Sequence, residues 1–105
     1  MLNHFILIKY SVDTPEPHIE AFCQQMLSLK SQIENIRYLE MGRDILHEGR
    51  SWDVIAIMKF DGVAQLRAYQ QHESHLALAE FNAPYVVDIA AIDYETAYST
   101  DEAQD

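Results

Sequence analysis

The sequence predicts an α+β fold, a four-stranded antiparallel sheet with its helices on one face, the split arrangement called ferredoxin-like. Three observations lead there. Four short segments rich in β-branched and aromatic residues read as strands, and two regions with apolar residues at three- and four-residue steps read as helical. Their order along the chain is strand, helix, strand, strand, helix, strand, without an internal repeat, low-complexity tract or interior linker.

The first strand is predicted over Leu2 to Tyr10, where Phe5-Ile6-Leu7-Ile8 gives the apolar run. Asp13-Thr14-Pro15-Glu16-Pro17 reads as a helix entry, with Thr14 as cap and both prolines in the first turn, where a missing N–H costs nothing. Ile19, Phe22, Cys23, Met26, Leu27 and Ile33 then mark one apolar stripe of a helix ending within Lys30 to Ile33. A second strand is predicted over Ile36 to Asp44, with Leu39 and Met41 on one side and Ile36, Tyr38 and Glu40 on the other. The polar run His47-Glu48-Gly49-Arg50-Ser51 is a loop before a third strand, Trp52 to Phe60. Asp61-Gly62 opens a helix to about Gln71, Ser74 is expected to cap a short further helix that Pro84 ends, and Val86 to Glu95 is the fourth strand. Residues 1–96 form the expected domain; 97–105 form an acidic tail, with Asp101, Glu102 and Asp105 and no base, expected to fray.

These strands are apolar on both faces. His4, Ile6 and Ile8 oppose Phe5 and Leu7; Val54, Ala56 and Met58 oppose Ile55 and Ile57; Val87, Ile89 and Ala91 oppose Val86, Ala90 and Ile92. An antiparallel sheet with one wet face alternates instead, and the predicted helices cover one face only. A second copy packed sheet to sheet is the simplest cover, since a two-fold contact is self-complementary. The expectation is a homodimer through the sheet face.

Composition narrows the function class. The 105 residues carry 17 acidic against 7 basic side chains, a formal charge of −10, and 49% are hydrophobic. So few scattered cations disfavour nucleic acid and anionic membrane surfaces as partners. The lone Cys23 forms no internal disulfide, no apolar run reaches membrane-spanning length, and the N-terminus lacks the basic opening of a signal peptide, so the cytoplasm is the expected location.

The residues that can carry chemistry are histidines and a tyrosine. Tyr69, His72 and His75 recur at three-residue steps around the junction of the two C-terminal helices, and His4 starts the first strand on the face of Ile6 and Ile8. A histidine serves as base or acid at neutral pH, and a protonated tyrosine hydroxyl can donate to a carbonyl or enolate oxygen. Together they suit proton abstraction beside a carbonyl, an aldol-type closure or an isomerisation. The residues alone leave other readings open: His72 and His75 as exposed surface groups, Tyr69 as a core residue bonded to a backbone carbonyl, or His72 and His75 with Glu73 as part of a metal site. His18 and His47 are expected to be solvated, and Cys23 to lie in the core.

The pattern as a whole resembles the stress-responsive A/B-barrel (Dabb) domain. The resemblance runs over residues 1–96 and rests on His4 with its strand ending at Lys9-Tyr10, on Ile36-Arg37 and Glu40-Met41-Gly42-Arg43-Asp44, and on Trp52-Asp53 with Phe60. It continues in Tyr69-Gln70-Gln71-His72-Glu73-Ser74-His75, then Val87-Asp88 and Asp93-Tyr94-Glu95. It implies a ferredoxin-like subunit that dimerises through its sheets into an α/β barrel. A cyclase branch of that family closes linear polyketides by aldol condensation without a cofactor, which implies His75 and Tyr69 as catalytic residues, with His4 supporting them. His4 and His72 are the expected substrate contacts, and neither a metal nor a cofactor is implied. This chain departs in having Glu73 where the family commonly has proline, and Val54 where the cyclase branch has a further histidine. Other members are stress-associated oligomers, so the alternative is a non-enzymatic structural dimer.

Overall fold

The computed structural model describes residues 1–100. It places β1 at Leu2–Tyr10, α1 at Glu16–Gln32, β2 at Tyr38–Arg43, β3 at Val54–Phe60, α2 at Val63–Gln71, α3 at Glu73–Asn82, a single 3-10 turn at Ala83–Tyr85 and β4 at Val86–Glu95. The sheet is antiparallel in the order β2-β3-β1-β4, so the two middle strands are joined by the long connection through α1 and β2. This is the ferredoxin-like α+β fold. Asp101, Glu102 and Asp105 of the expected tail lie outside the described residues.

The helix side of the sheet holds the core. Ile8, Tyr10, Val54, Ala56, Met58 and Phe60 are buried there against Ile19, Phe22, Met26 and Leu29 of α1. Alternation in β3 is complete on this side: Val54, Ala56, Met58 and Phe60 are buried while Ile55 and Ile57 are only partly so. The opposite side is open. It presents Phe5, Leu7, Ile55 and Ile57, with the more exposed Ile92 and Tyr94 on β4, and the rings of Phe5 and Tyr94 lie 5.7 Å apart. Basic side chains rim this surface, Lys9 over Trp52 and Lys59 over Tyr38.

Several local expectations give way to tertiary structure. Ile36 precedes β2 and faces the core at 2% exposure, while Tyr38 and Glu40 are exposed, because the chain turns between Ile33 and Arg37 before it joins the sheet. Pro15, not Thr14, holds the cap position of α1 without a side-chain cap, and Thr14 Oγ1 is engaged by Ser11 Oγ at 2.9 Å. In β4 a bulge pairs Tyr10 with Val86 but Lys9 with Asp88, leaving Val87 as the extra residue. Val86 is thereby turned to the helix side, which it shares with Ile89; strict alternation had put the two on opposite faces. His18 is buried, not solvated, because the start of α1 packs on the end of α3 and its ring stacks on Tyr85 at 4.0 Å and Phe81 at 4.6 Å. His47 is exposed, with φ 54° in the β2–β3 loop, where Asp44 Oδ2 accepts from its backbone N–H at 2.6 Å. Cys23 is buried in the core, and burial raises its thiol pKa. Among the described residues no helix is long and apolar enough to cross a membrane.

Candidate functional site

The helices cover the sheet without filling the space beneath them. Between β1, β3, α1 and the α2–α3 pair lies a cavity of about 500 Å³, within the size range of small-molecule sites. Small side chains at Ala56, Ala79 and Ala83 leave the room, and Ile6, Met26 and Met58 supply apolar walls. His4, Tyr69 and His75 line the same cavity.

Each of the three is held by a different device. His4 is 4% exposed on the central strand β1, opposite Asp93 of β4, and its Nδ1–H donates to Asp93 Oδ1. A carboxylate only accepts, so the proton sits on Nδ1 and Nε2 is the remaining nitrogen. Tyr69, in the last turn of α2, is 3% exposed, with its ring 5.3 Å from Phe60 and 6.4 Å from His4. Burial raises its phenol well above the ordinary value, and among the described residues no hydrogen-bonding partner offsets the effect. The hydroxyl is therefore a proton donor at any physiological pH.

His75 is half-buried in the first turn of α3, and its ring centroid stands 4.5 Å from that of Tyr69. Its Nδ1 lies 3.0 Å from the carbonyl oxygen of Gln70. That oxygen can only accept, so Nδ1 carries the hydrogen and neutral His75 keeps a lone pair on Nε2. Burial lowers the His75 pKa, the Gln70 carbonyl opposes that shift, and nearby His4 lowers it further. The outcome is an uncharged imidazole at neutral pH, one nitrogen tied to the backbone and the other free to take a proton.

His72 stands apart from this group. It ends α2 and begins α3, and its Nδ1 accepts the backbone N–H of Ser74 at 3.1 Å. It thus performs the cap role expected of Ser74, and it does not line the cavity where it was expected to meet substrate. The reason is the break between the helices: His72 is extended at φ −67°, ψ 138°, so the three-residue step from Tyr69 to His75 is not a continuous helical face. Glu73 is exposed in the first turn of α3, where a negative charge suits the helix dipole. Among the described residues no three His, Cys, Asp or Glu side chains are grouped to hold a metal ion. Val54, 2% exposed, contributes an apolar wall to the sheet and no ionisable group.

Two residues of the site escaped sequence reasoning as contributors. Asp93 is 89 positions from His4, and only strand register makes them neighbours. Asn82, which also lines the cavity, shares the helical spacing of His75 and Leu78, but its residue type did not single it out.

Comparison with known proteins places this arrangement. The family model described as Stress responsive A/B Barrel Domain matches residues 2–96. The chain belongs to that family. Among solved structures, this A/B-barrel chain is similar to a dimeric protein of unknown function and ferredoxin-like fold from Bacteroides fragilis, with 25% identity and a TM-score of 0.81, covering 90% of this chain and 95% of that one. A dimeric ferredoxin-like protein of unknown function from Thermobifida fusca matches at 22% identity and TM-score 0.81, covering 90% of each chain. A hydroxynitrile lyase from Passiflora edulis shares the fold at 13% identity and TM-score 0.82, covering 95% of this chain and 96% of that one. No curated protein matches the chain.

The lowered pKa of His75 has a consequence for stability. Below its ordinary value of 6.5 the unfolded chain takes up this proton more readily than the folded chain, so stability falls as pH drops through that range. The urea midpoint of the wild type is expected to fall between pH 7 and pH 5, and to fall less in His75→Gln. An equal or larger fall in the variant would contradict the assignment.

Proposed function

We propose that this A/B-barrel protein binds a carbonyl-containing small molecule in the cavity under its helices and acts on it by cofactor-free acid–base chemistry. The observation that carries the reading is the tautomer of His75: with Nδ1–H held by the Gln70 carbonyl, Nε2 is a neutral base beside the protonated Tyr69 hydroxyl, inside a largely apolar cavity. In the proposed step the Tyr69 hydroxyl donates to the substrate carbonyl oxygen while Nε2 of His75 removes a proton from the adjacent carbon. The electron pair of the broken C–H bond moves into an enolate, whose oxygen Tyr69 stabilises, and His75 becomes an imidazolium. In an aldol-type closure the enolate carbon bonds to a second carbonyl of the same molecule, and the resulting alkoxide recovers the proton from His75. His4, anchored by Asp93, supports the polar end of the cavity.

The same reading makes the working unit a homodimer of residues 1–96 through the open sheet face. The apolar surface of Phe5, Leu7, Ile55, Ile57 and Ile92 supports this, as does the dimeric state of the Bacteroides and Thermobifida neighbours. The single buried cysteine fits a reducing compartment, the cytoplasm.

Two measurements test these statements. Methyl nonyl ketone in D2O is expected to exchange its α-protons faster with the wild type than without it, by NMR. His75→Ala should lose about 100-fold or more of that rate, and Tyr69→Phe should lose at least about tenfold. Unchanged exchange in both variants, or none in the wild type, would leave the protein as a non-enzymatic dimer. Light scattering after size exclusion should give a dimer for the wild type and a monomer for Ile57→Glu; a dimeric Ile57→Glu would move the interface elsewhere.

A further inference from the structure

Deepening the carbonyl-site reading, on which it rests, we propose that Asn82 is a specificity-determining residue: its side-chain amide NH2 hydrogen-bonds a second acceptor oxygen, at the far end of an elongated, mainly apolar substrate.

The placement comes from α3. His75, Leu78 and Asn82 are spaced by three and four residues on that helix, so all three fall on one face, and all three line the cavity. At a rise of about 1.5 Å per residue, Asn82 stands roughly 10 Å along the helix axis from His75. Between them the cavity is walled by Leu78, Ile6 and Ile8. A substrate whose reacting carbonyl meets Tyr69 and His75 therefore runs through an apolar stretch before it reaches the next polar group.

That polar group is fixed in orientation. Asn82 is 5% exposed, and its Oδ1 accepts from the Tyr10 hydroxyl at 2.7 Å and from His18 Nε2–H at 3.0 Å. Two donors saturate the carbonyl oxygen. Both partners can also accept, Tyr10 through its oxygen and His18 through an unprotonated Nε2, so the orientation rests on the Tyr10 hydroxyl donating to Oδ1. His18 cannot swing away, because it is stacked against Phe81 and Tyr85. The amide nitrogen has no protein partner among the described residues, where no buried side-chain nitrogen or oxygen lacks one. It is thus the part of Asn82 that reaches the open space of the cavity. A donor held this firmly loses little freedom when an acceptor arrives, which turns one hydrogen bond into selectivity.

The substrate class follows: a carbonyl compound with a second oxygen acceptor, such as another carbonyl, separated from the first by an apolar chain. A hydrocarbon tail in that position would strand the amide donor, so it is disfavoured.

Calorimetric titration of the full chain with two probes tests this: methyl nonyl ketone, and the diketone of the same chain length carrying a methyl ketone at each end. The wild type is expected to bind the diketone about tenfold more tightly. Asn82→Leu removes the donor, and Asn82→Asp removes it while keeping an oxygen for Tyr10 and His18. Both should lose the preference for the diketone, Asn82→Leu in part by binding the monoketone more tightly than the wild type does; Asn82→Asp keeps the test decisive if Asn82→Leu does not fold. Equal affinity of the two ketones in the wild type, or a preference that survives Asn82→Asp, would overturn the role of Asn82 alone. Failure of the wild type to bind either ketone would overturn the carbonyl-site reading with it.

Discussion

A four-stranded antiparallel sheet has two faces to hide, and this chain has helices for one. On that side the burial of Val54, Met58, Phe60 and their partners on α1 holds the subunit together, at about 1.5–3 kcal/mol for each large side chain fully removed from water. The cover is incomplete because α2 and α3 are short and break at His72. The two short helices meet at an angle there, with alanines at 56, 79 and 83 lining the gap. The cavity is the result of that geometry, and His4, Tyr69, His75 and Asn82 lie on its wall.

Three polar residues of the wall are tied to something rigid. His4 is tied by strand pairing to Asp93, His75 by the carbonyl that ends α2, and Asn82 by Tyr10 and His18. Tyr10 shows how strongly this part of the interior is desolvated: burial pushes its phenol up to about 12. Orientation is what such a site needs most, since an imidazole that rotates spends its time with the wrong nitrogen forward. Placing the groups on helices and a central strand, and not on loops, supplies that orientation before any substrate arrives.

The architecture was legible in the chain because it depends on local pattern: runs of Phe, Ile and Val for strands, the stripe from Ile19 to Met26 for α1, and turn residues between them. The apolar doubling of the strands is equally local, which is why Phe5 and Ile57 could be placed on an uncovered face. What the sequence concealed is everything set by register or by turns. Val86 changes sides through one bulged residue, Ile36 enters the core through a turn, and His18 is buried by a partner 64 positions away. The set His4, Tyr69 and His75 was suggested by residue type and by family resemblance, whereas His72 shared their spacing and proved to be a helix cap. Asp93 and Asn82 were not singled out by residue type, because one acts through strand pairing and the other through a buried network.

The proposed chemistry turns on the state of one ring. Long-range ¹H–¹⁵N correlation spectra of the histidine side chains at neutral pH read tautomer and charge directly. His75 is expected to be neutral, protonated at Nδ1 and bare at Nε2. A His75 found as the Nε2–H tautomer, or as an imidazolium at neutral pH, would contradict it.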